Sequence, residues 1–122
     1  MSYFTIKEFD CQCGQDTCEA RKLGPHVELV KRLTKLREAL GKPIIISSGL
    51  RCPEWNRVQG GKLDSAHLTG QAADLSCGDS QRRWQLLSLI FTHKLFVRVG
   101  IGDTFLHVDI NPDKQSEVLW LY

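Results

Sequence analysis

The apolar positions of this chain follow two rhythms. In "GPHVELVKRLTKLREALGK", Leu29, Leu33, Leu36 and Leu40 recur at steps of four, three and four, which makes one stripe of an amphipathic helix. Pro25 suits its first turn and Gly41 its stop. A second helix is predicted over "DSQRRWQLLSLIFTHK", capped by Asp79 or Ser80, with Trp84, Leu87 and Phe91 on one face. The other rhythm has a period of two. "FVRVGIG" and "FLHVDI" alternate as strands joined by a tight turn at "GDT", and "EVLWLY" reads as a last strand. "PIIISS" is rich in β-branched residues and reads as a buried strand, and "AADLS" as another short one. "TIKEF" predicts a short helical turn, and "GLRCPEWNRVQGGKLD" a loop with one helical turn around Glu54 to Val58. Helices on one side of a small, mainly antiparallel sheet is the economical packing of these elements, so the expected class is α+β.

At 122 residues, with no repeat, low-complexity stretch or linker, one domain spanning 1–122 is expected. Hydrophobic residues make up 42% and charged residues 25%, ordinary for a folded domain. The formal charge of +2 is too small to imply nucleic acid or an anionic membrane as partner. Lys31, Arg32, Lys35 and Arg37 read as the solvated side of the first helix, diluted by Glu28 and Glu38. No apolar run has the length of a membrane span, and "MSYFTIKEFD" lacks the pattern of a signal peptide. Synthesis in a cytoplasm is therefore expected, and a substrate outside it would require release by something else.

Five cysteines without an export signal argue against a full disulfide framework. Cys11, Cys13 and Cys18 in "CQCGQDTC" can hold a metal or pair. Their spacing is not the two-residue gap of common zinc knuckles, and no histidine lies close by, so the reading is reduced, partly buried thiols.

The chemistry concentrates in "SAHLTGQAADL" and "FLHVDI". Neutral imidazole and carboxylate are good ligands for a divalent transition metal. Two histidines, one acid and an open fourth position match a catalytic zinc site. Gly70, Ala72 and Ala73 let backbone pass close to a crowded centre. Strand alternation puts Phe105, His107 and Asp109 on one face, and Leu106, Val108 and Ile110 on an apolar face that should meet the core. His26 and His93 have no such company and read as residues of helix ends.

"SSGLRCPEWN", then "GG", "SAHLTGQAADL" and "GIGDTFLHVDI" together resemble the zinc-dependent D-Ala-D-Ala carboxypeptidase family, the M15 peptidases. The likeness is closest to the short branch associated with phages and prophages. The wider group includes phage endolysins, and its fold is shared with the hedgehog signalling domain. "FTIKEFDCQCG" also resembles the opening segment of the short branch. The family pattern S-x-H-x-x-G-x-A-x-D falls on Ser65, His67, Gly70, Ala72 and Asp74, and its third ligand on His107. The resemblance implies zinc on His67, Asp74 and His107, a carboxylate as general base, and Arg51 as the guanidinium that holds an oxygen of the peptide substrate. Ser65 is grouped with Arg51 as substrate-binding. An ion pair with a nearby acid is the plainer role for Arg51.

Relatives commonly place a base two or three residues before the last ligand. Here those positions are Phe105 and Thr104, which cannot take a proton from water. Asp103 in the turn and Asp109 on the strand remain. Asp103 is preferred on the expectation that the turn bends inward over the cleft, with Asp109 as an alternative base or as a partner orienting a histidine. The implied activity is hydrolysis of an amide bond in cell-wall peptidoglycan, of D-Ala-D-Ala carboxypeptidase or L-Ala-D-Glu endopeptidase type. The protein would act as a monomer, on the wall after release or as part of a virion. A zinc-stabilised wall-binding module without strong catalysis is the rival reading.

Overall fold

The computed structural model describes residues 3–122. Met1 and Ser2, which open the stretch read for a signal peptide, lie outside the described residues. A 3-10 turn at Ile6–Phe9 leads through the cysteine loop to α1 (Ala20–Leu23), α2 (Val27–Leu40) and β1 (Ile46–Ser48). Then come α3 (Pro53–Val58), a second 3-10 turn at Ala66–Thr69, β2 (Ala72–Ser76) and α4 (Ser80–Thr92). The chain closes with β3 (Arg98–Ile101), β4 (Phe105–Asp109) and β5 (Val118–Leu121). The five strands form one sheet in the order β1-β2-β4-β3-β5, antiparallel except for the β3–β5 pair. The class is α+β, with a mixed sheet.

The α2 stripe works as its spacing predicts. Leu29, Leu33 and Leu36 are fully buried and meet Ala73, Leu75, Leu106 and Val108 from the sheet. Each such leucine contributes roughly 1.5–3 kcal/mol relative to exposure. Gly41 ends the helix in the left-handed region at φ 71°. Pro25 does not stand in the first turn: His26 is the cap, its Nδ1 accepting from the Glu28 amide at 3.1 Å. In α4, Asp79 caps as expected, accepting from the Arg82 amide at 2.7 Å.

Two expectations fail on which face is buried. In α4 the buried residues are Leu86 and Ile90, whereas Trp84 is 71% exposed and Phe91 half exposed. Apolar residues occupy most sides of that helix, so periodicity alone does not choose between two stripes. On the approach to β1, Ile44 and Ile46 are buried but Ile45 points to solvent. β1 is an edge strand with one face on the core, and the isoleucines leading into it alternate instead of sinking whole. The two long helices cover one face of the sheet. The other face receives the Ala66–Thr69 turn, with α3 beside it. No helix among the described residues is long and apolar enough to cross a membrane.

Candidate metal centre

Register builds the centre. β2 and β4 pair so that Asp74 lies opposite His107 and Ala72 opposite Asp109. Residues directly opposite share a face, and Ala73, Leu75, Leu106 and Val108 take the core face. His107 and Asp109 therefore point away from the core, as alternation predicts. His67 comes over this face on the 3-10 turn. Ser65 Oγ caps that turn by accepting from the His67 amide at 3.2 Å. Gly70 then reverses the chain at φ 73°, where a Cβ would stand 2.7 Å from the Gly24 carbonyl oxygen. The Gly70 carbonyl accepts from the His26 amide at 2.8 Å, which pins the turn to the start of α2.

Hydrogen bonding decides the tautomers. His67 Nδ1 lies 2.6 Å from the Gly49 carbonyl, which only accepts, so Nδ1 carries the proton. A neutral His67 then aims the lone pair of Nε2 at Asp74 Oδ1, 3.2 Å away. His107 repeats the logic. Its Nε2 donates to Asp109 Oδ2 at 2.7 Å, and its Nδ1 faces the same Asp74 Oδ1 at 3.0 Å. Three acceptors thus converge, all within 4.8 Å of one another, and repel unless a cation stands among them. Two imidazoles and a carboxylate are a fitting donor set for zinc. A proton answers the same demand. Burial pushes His107 towards neutrality, but its bonds to Asp109 and Asp74 outweigh this and raise its pKa. Burial likewise raises Asp74, and the bonds from His107 and His67 overcome it, holding the carboxyl well below the usual carboxylate range.

Further residues hold these ligands in place. Arg51 donates to Asp74 Oδ2 at 3.2 Å, to Ser48 Oγ at 3.2 Å and to Asn56 Oδ1 at 3.3 Å. The plainer role considered for Arg51, an ion pair with a nearby acid, is thus present, and the acid is Asp74 itself. The guanidinium also faces the cavity, and these bonds use three of its five N–H groups. Asp109 is fully engaged. Oδ2 serves His107, and Oδ1 accepts from Arg98 Nε at 2.7 Å and from the Asn111 amide at 3.1 Å. Burial raises its pKa, and the His107 bond, with the Asn111 amide and Arg98, more than reverses this.

Asp103 stands apart. It is exposed in the β3–β4 turn, and its carbonyl accepts from Arg83 Nη2 at 2.8 Å. It does not line the cavity, so the turn does not bend over the centre. The β-hairpin holds Gly102 to Phe105 by a backbone bond of 2.9 Å and leaves the Asp103 side chain at the tip.

The three candidate ligand residues lie in the wall of an open cavity of about 710 Å³. Its lining also includes Lys62, Lys114, Trp120 and Tyr122. These last two are not evident as site residues from sequence. Their signal is the alternation of "EVLWLY" combined with register: Gly100 pairs with both His107 and Trp120. A Cβ at Gly100 would sit 2.5 Å from Trp120 Nε1, so only glycine admits the indole here. The Trp120 and His107 ring centroids lie 5.4 Å apart with the planes tilted at 50°, and the Arg98 guanidinium lies 5.2 Å from the Trp120 ring centroid. Arg98 escapes sequence reasoning too, because nothing in "FVRVGIG" shows that it reaches Asp109 on the next strand.

A protein-family model described as Peptidase M15 matches residues 2–110, a span that contains all three ligand residues and Arg51. A search of curated proteins finds no match.

Proposed function

The chain belongs to the Peptidase M15 family, and on that premise we propose that it is a zinc-dependent hydrolase of peptide bonds in bacterial peptidoglycan. One observation carries the zinc dependence: three lone pairs of His67, Asp74 and His107 converge in the wall of an open, peptide-sized cavity. When bound, zinc supplies an electrophile for the scissile carbonyl and acidifies water for attack on it.

The chain's own residues do the rest. The Gly49 carbonyl and Asp109 fix the two imidazoles so that His67 Nε2 and His107 Nδ1 face inward. Arg51 occupies Asp74 Oδ2 and leaves Oδ1 towards the histidines. Its remaining N–H groups and the ammonium of Lys62, both lining the cavity, are suited to a substrate that carries carboxylates. Wall stem peptides have such groups, and the substrate proposal rests on this charge match and on the family. Tyr122 lines the cavity and offers a hydroxyl that can bond a substrate oxygen.

The rival reading is a zinc-stabilised wall-binding module. The commitment of Asp109 to His107, Arg98 and Asn111, and the place of Asp103 outside the cavity, favour it, because one acid is already bonded and the other does not face the centre. Incubating the zinc-loaded protein with purified peptidoglycan and identifying new termini by mass spectrometry separates the two. Release of single D-Ala marks a carboxypeptidase, and a new internal amino terminus an endopeptidase. Binding of wall peptide without any new terminus would establish the module instead.

A further inference from the structure

A second group of ligand-type side chains lies outside this centre. The loop after the first 3-10 turn carries Cys11, Cys13 and Cys18, and the chain before α3 brings Cys52 to them. All four Sγ atoms lie within 4.8 Å of one another, and none is in a disulfide. Four sulfurs at the zinc–sulfur distance of about 2.3 Å stand about 3.8 Å apart in a tetrahedron. A tetrahedron of that edge fits within the observed 4.8 Å limit, and none of the sulfurs is bonded to another.

Three backbone amides point at the sulfurs. Cys52 N–H donates to Cys11 Sγ at 3.3 Å, Gln15 N–H to Cys13 Sγ at 3.4 Å, and Trp55 N–H to Cys52 Sγ at 3.4 Å. A neutral thiol is a weak acceptor, and such donors are better matched to thiolates. The Arg21 guanidinium lies against the Cys11 carbonyl at 3.4 and 3.5 Å, adding positive charge beside the cluster.

Packing supplies an independent reason. The main core is built from the two long helices and the sheet, and the cysteine region has its own small cluster. Its fully buried members are Cys11, Cys18, Ala20 and Leu50, with Cys13, Cys52 and Trp55 against them. That is little apolar surface to hold an irregular loop and the four-residue α1.

We propose that Cys11, Cys13, Cys18 and Cys52 bind a second divalent metal ion, zinc by the softness of the four donors, in a closed site that staples the cysteine loop to the segment carrying Arg51. Binding replaces four S–H protons by one dication, giving a centre of net charge −2 and releasing four protons. With four protein ligands the site keeps no position for substrate, so its role is structural. Cys52 directly follows Arg51, whose amide donates to the His67 carbonyl at 3.1 Å. The staple therefore holds the backbone that supports the first centre. Cys77 is the internal control: it is buried in the main core, away from the other four.

Cobalt tests this by colour. The reduced wild-type chain should take up two equivalents of Co²⁺ and show sulfur-to-cobalt charge-transfer absorption. His67→Ala should lose one equivalent and keep the sulfur band. Cys13→Ser, at a half-exposed ligand, should weaken the sulfur band and keep the other equivalent, and Cys77→Ser should change neither. Should Cys13→Ser fail to fold, alkylation of the folded wild type decides: zinc should protect four thiols, and a chelator should expose them. A single cobalt equivalent without the sulfur band overturns the proposal. So does a full sulfur band in Cys13→Ser, or alkylation at the same rate with and without zinc.

Discussion

His67, Asp74 and His107 stand on two paired strands and a capped turn, whereas Cys11, Cys13, Cys18 and Cys52 stand on loops drawn together across the chain. In the first cluster the strand ladder sets the spacing of the ligands. Asp74 and His107 face each other as a matter of register, and the fold pre-orients them whether or not an ion is bound. In the second cluster no ladder sets the spacing, and Cys52 lies far from the other three in sequence. The comparison separates two uses of one kind of chemistry. A centre built on a sheet can leave one side open to a cavity, and a centre built on loops has most to gain from closing all its sides.

The comparison breaks most sharply at His67. His67→Ala removes a lone pair that the sheet cannot replace. We expect it to abolish binding at the first centre, with metal affinity and hydrolysis of wall peptide both falling by more than the ~10–100-fold typical of an outer partner. Metal analysis should still find the cysteine-bound equivalent. Unchanged zinc content would mean that the ligand set is wrong.

Asp109→Asn comes next. It keeps the shape but takes the full charge from the partner of His107 Nε2 and Arg98. Affinity at the first centre should drop by about 10–100-fold, read by competition with a chelator, while the chain stays folded. A normal metal constant with lost turnover would instead make Asp109 the base.

Arg51→Ala sharpens the question of what the guanidinium does. Loss of its bond to Asp74 should lower metal affinity by roughly 10-fold, the mild end of such effects. A raised KM at saturating zinc would add a substrate contact. If both constants stay at wild-type values and only stability falls, Arg51 is a structural ion pair.

Asp103→Asn should do least. The residue is exposed at a turn outside the cavity, so stability should move by no more than about 0.5 kcal/mol, with turnover and metal content unchanged. A large loss of turnover would show that the turn closes over the cleft when substrate binds, and would restore Asp103 as the base.

Much of the fold is legible in short-range pattern. The α2 stripe, the AADLS and FLHVDI strands and the α+β class all rest on local periodicity, because helix and strand repeats write themselves into neighbouring residues. The same alternation places His107 and Asp109 opposite the core residues Leu106 and Val108. Periodicity misleads where apolar residues are too many to rank. In α4, packing on the sheet selects Leu86 and Ile90 over Trp84 and Phe91, and just before β1 the edge position leaves Ile45 outward.

The sequence by itself determined the elements and the residue types that can bind a metal, since both depend on neighbours within a few positions. Only the tertiary structure decided who meets whom. Strand register set Asp74 against His107 and let Trp120 lie over Gly100. A salt bridge across strands tied Arg98 to Asp109. Backbone bonding kept Asp103 at the tip of a hairpin, and loop packing carried Cys52 to a trio whose spacing alone reads as plain thiols. Apart from the hairpin bond, which is local, the reason is common to them. Contacts between residues far apart in the chain depend on how whole elements pack, and no local pattern records that.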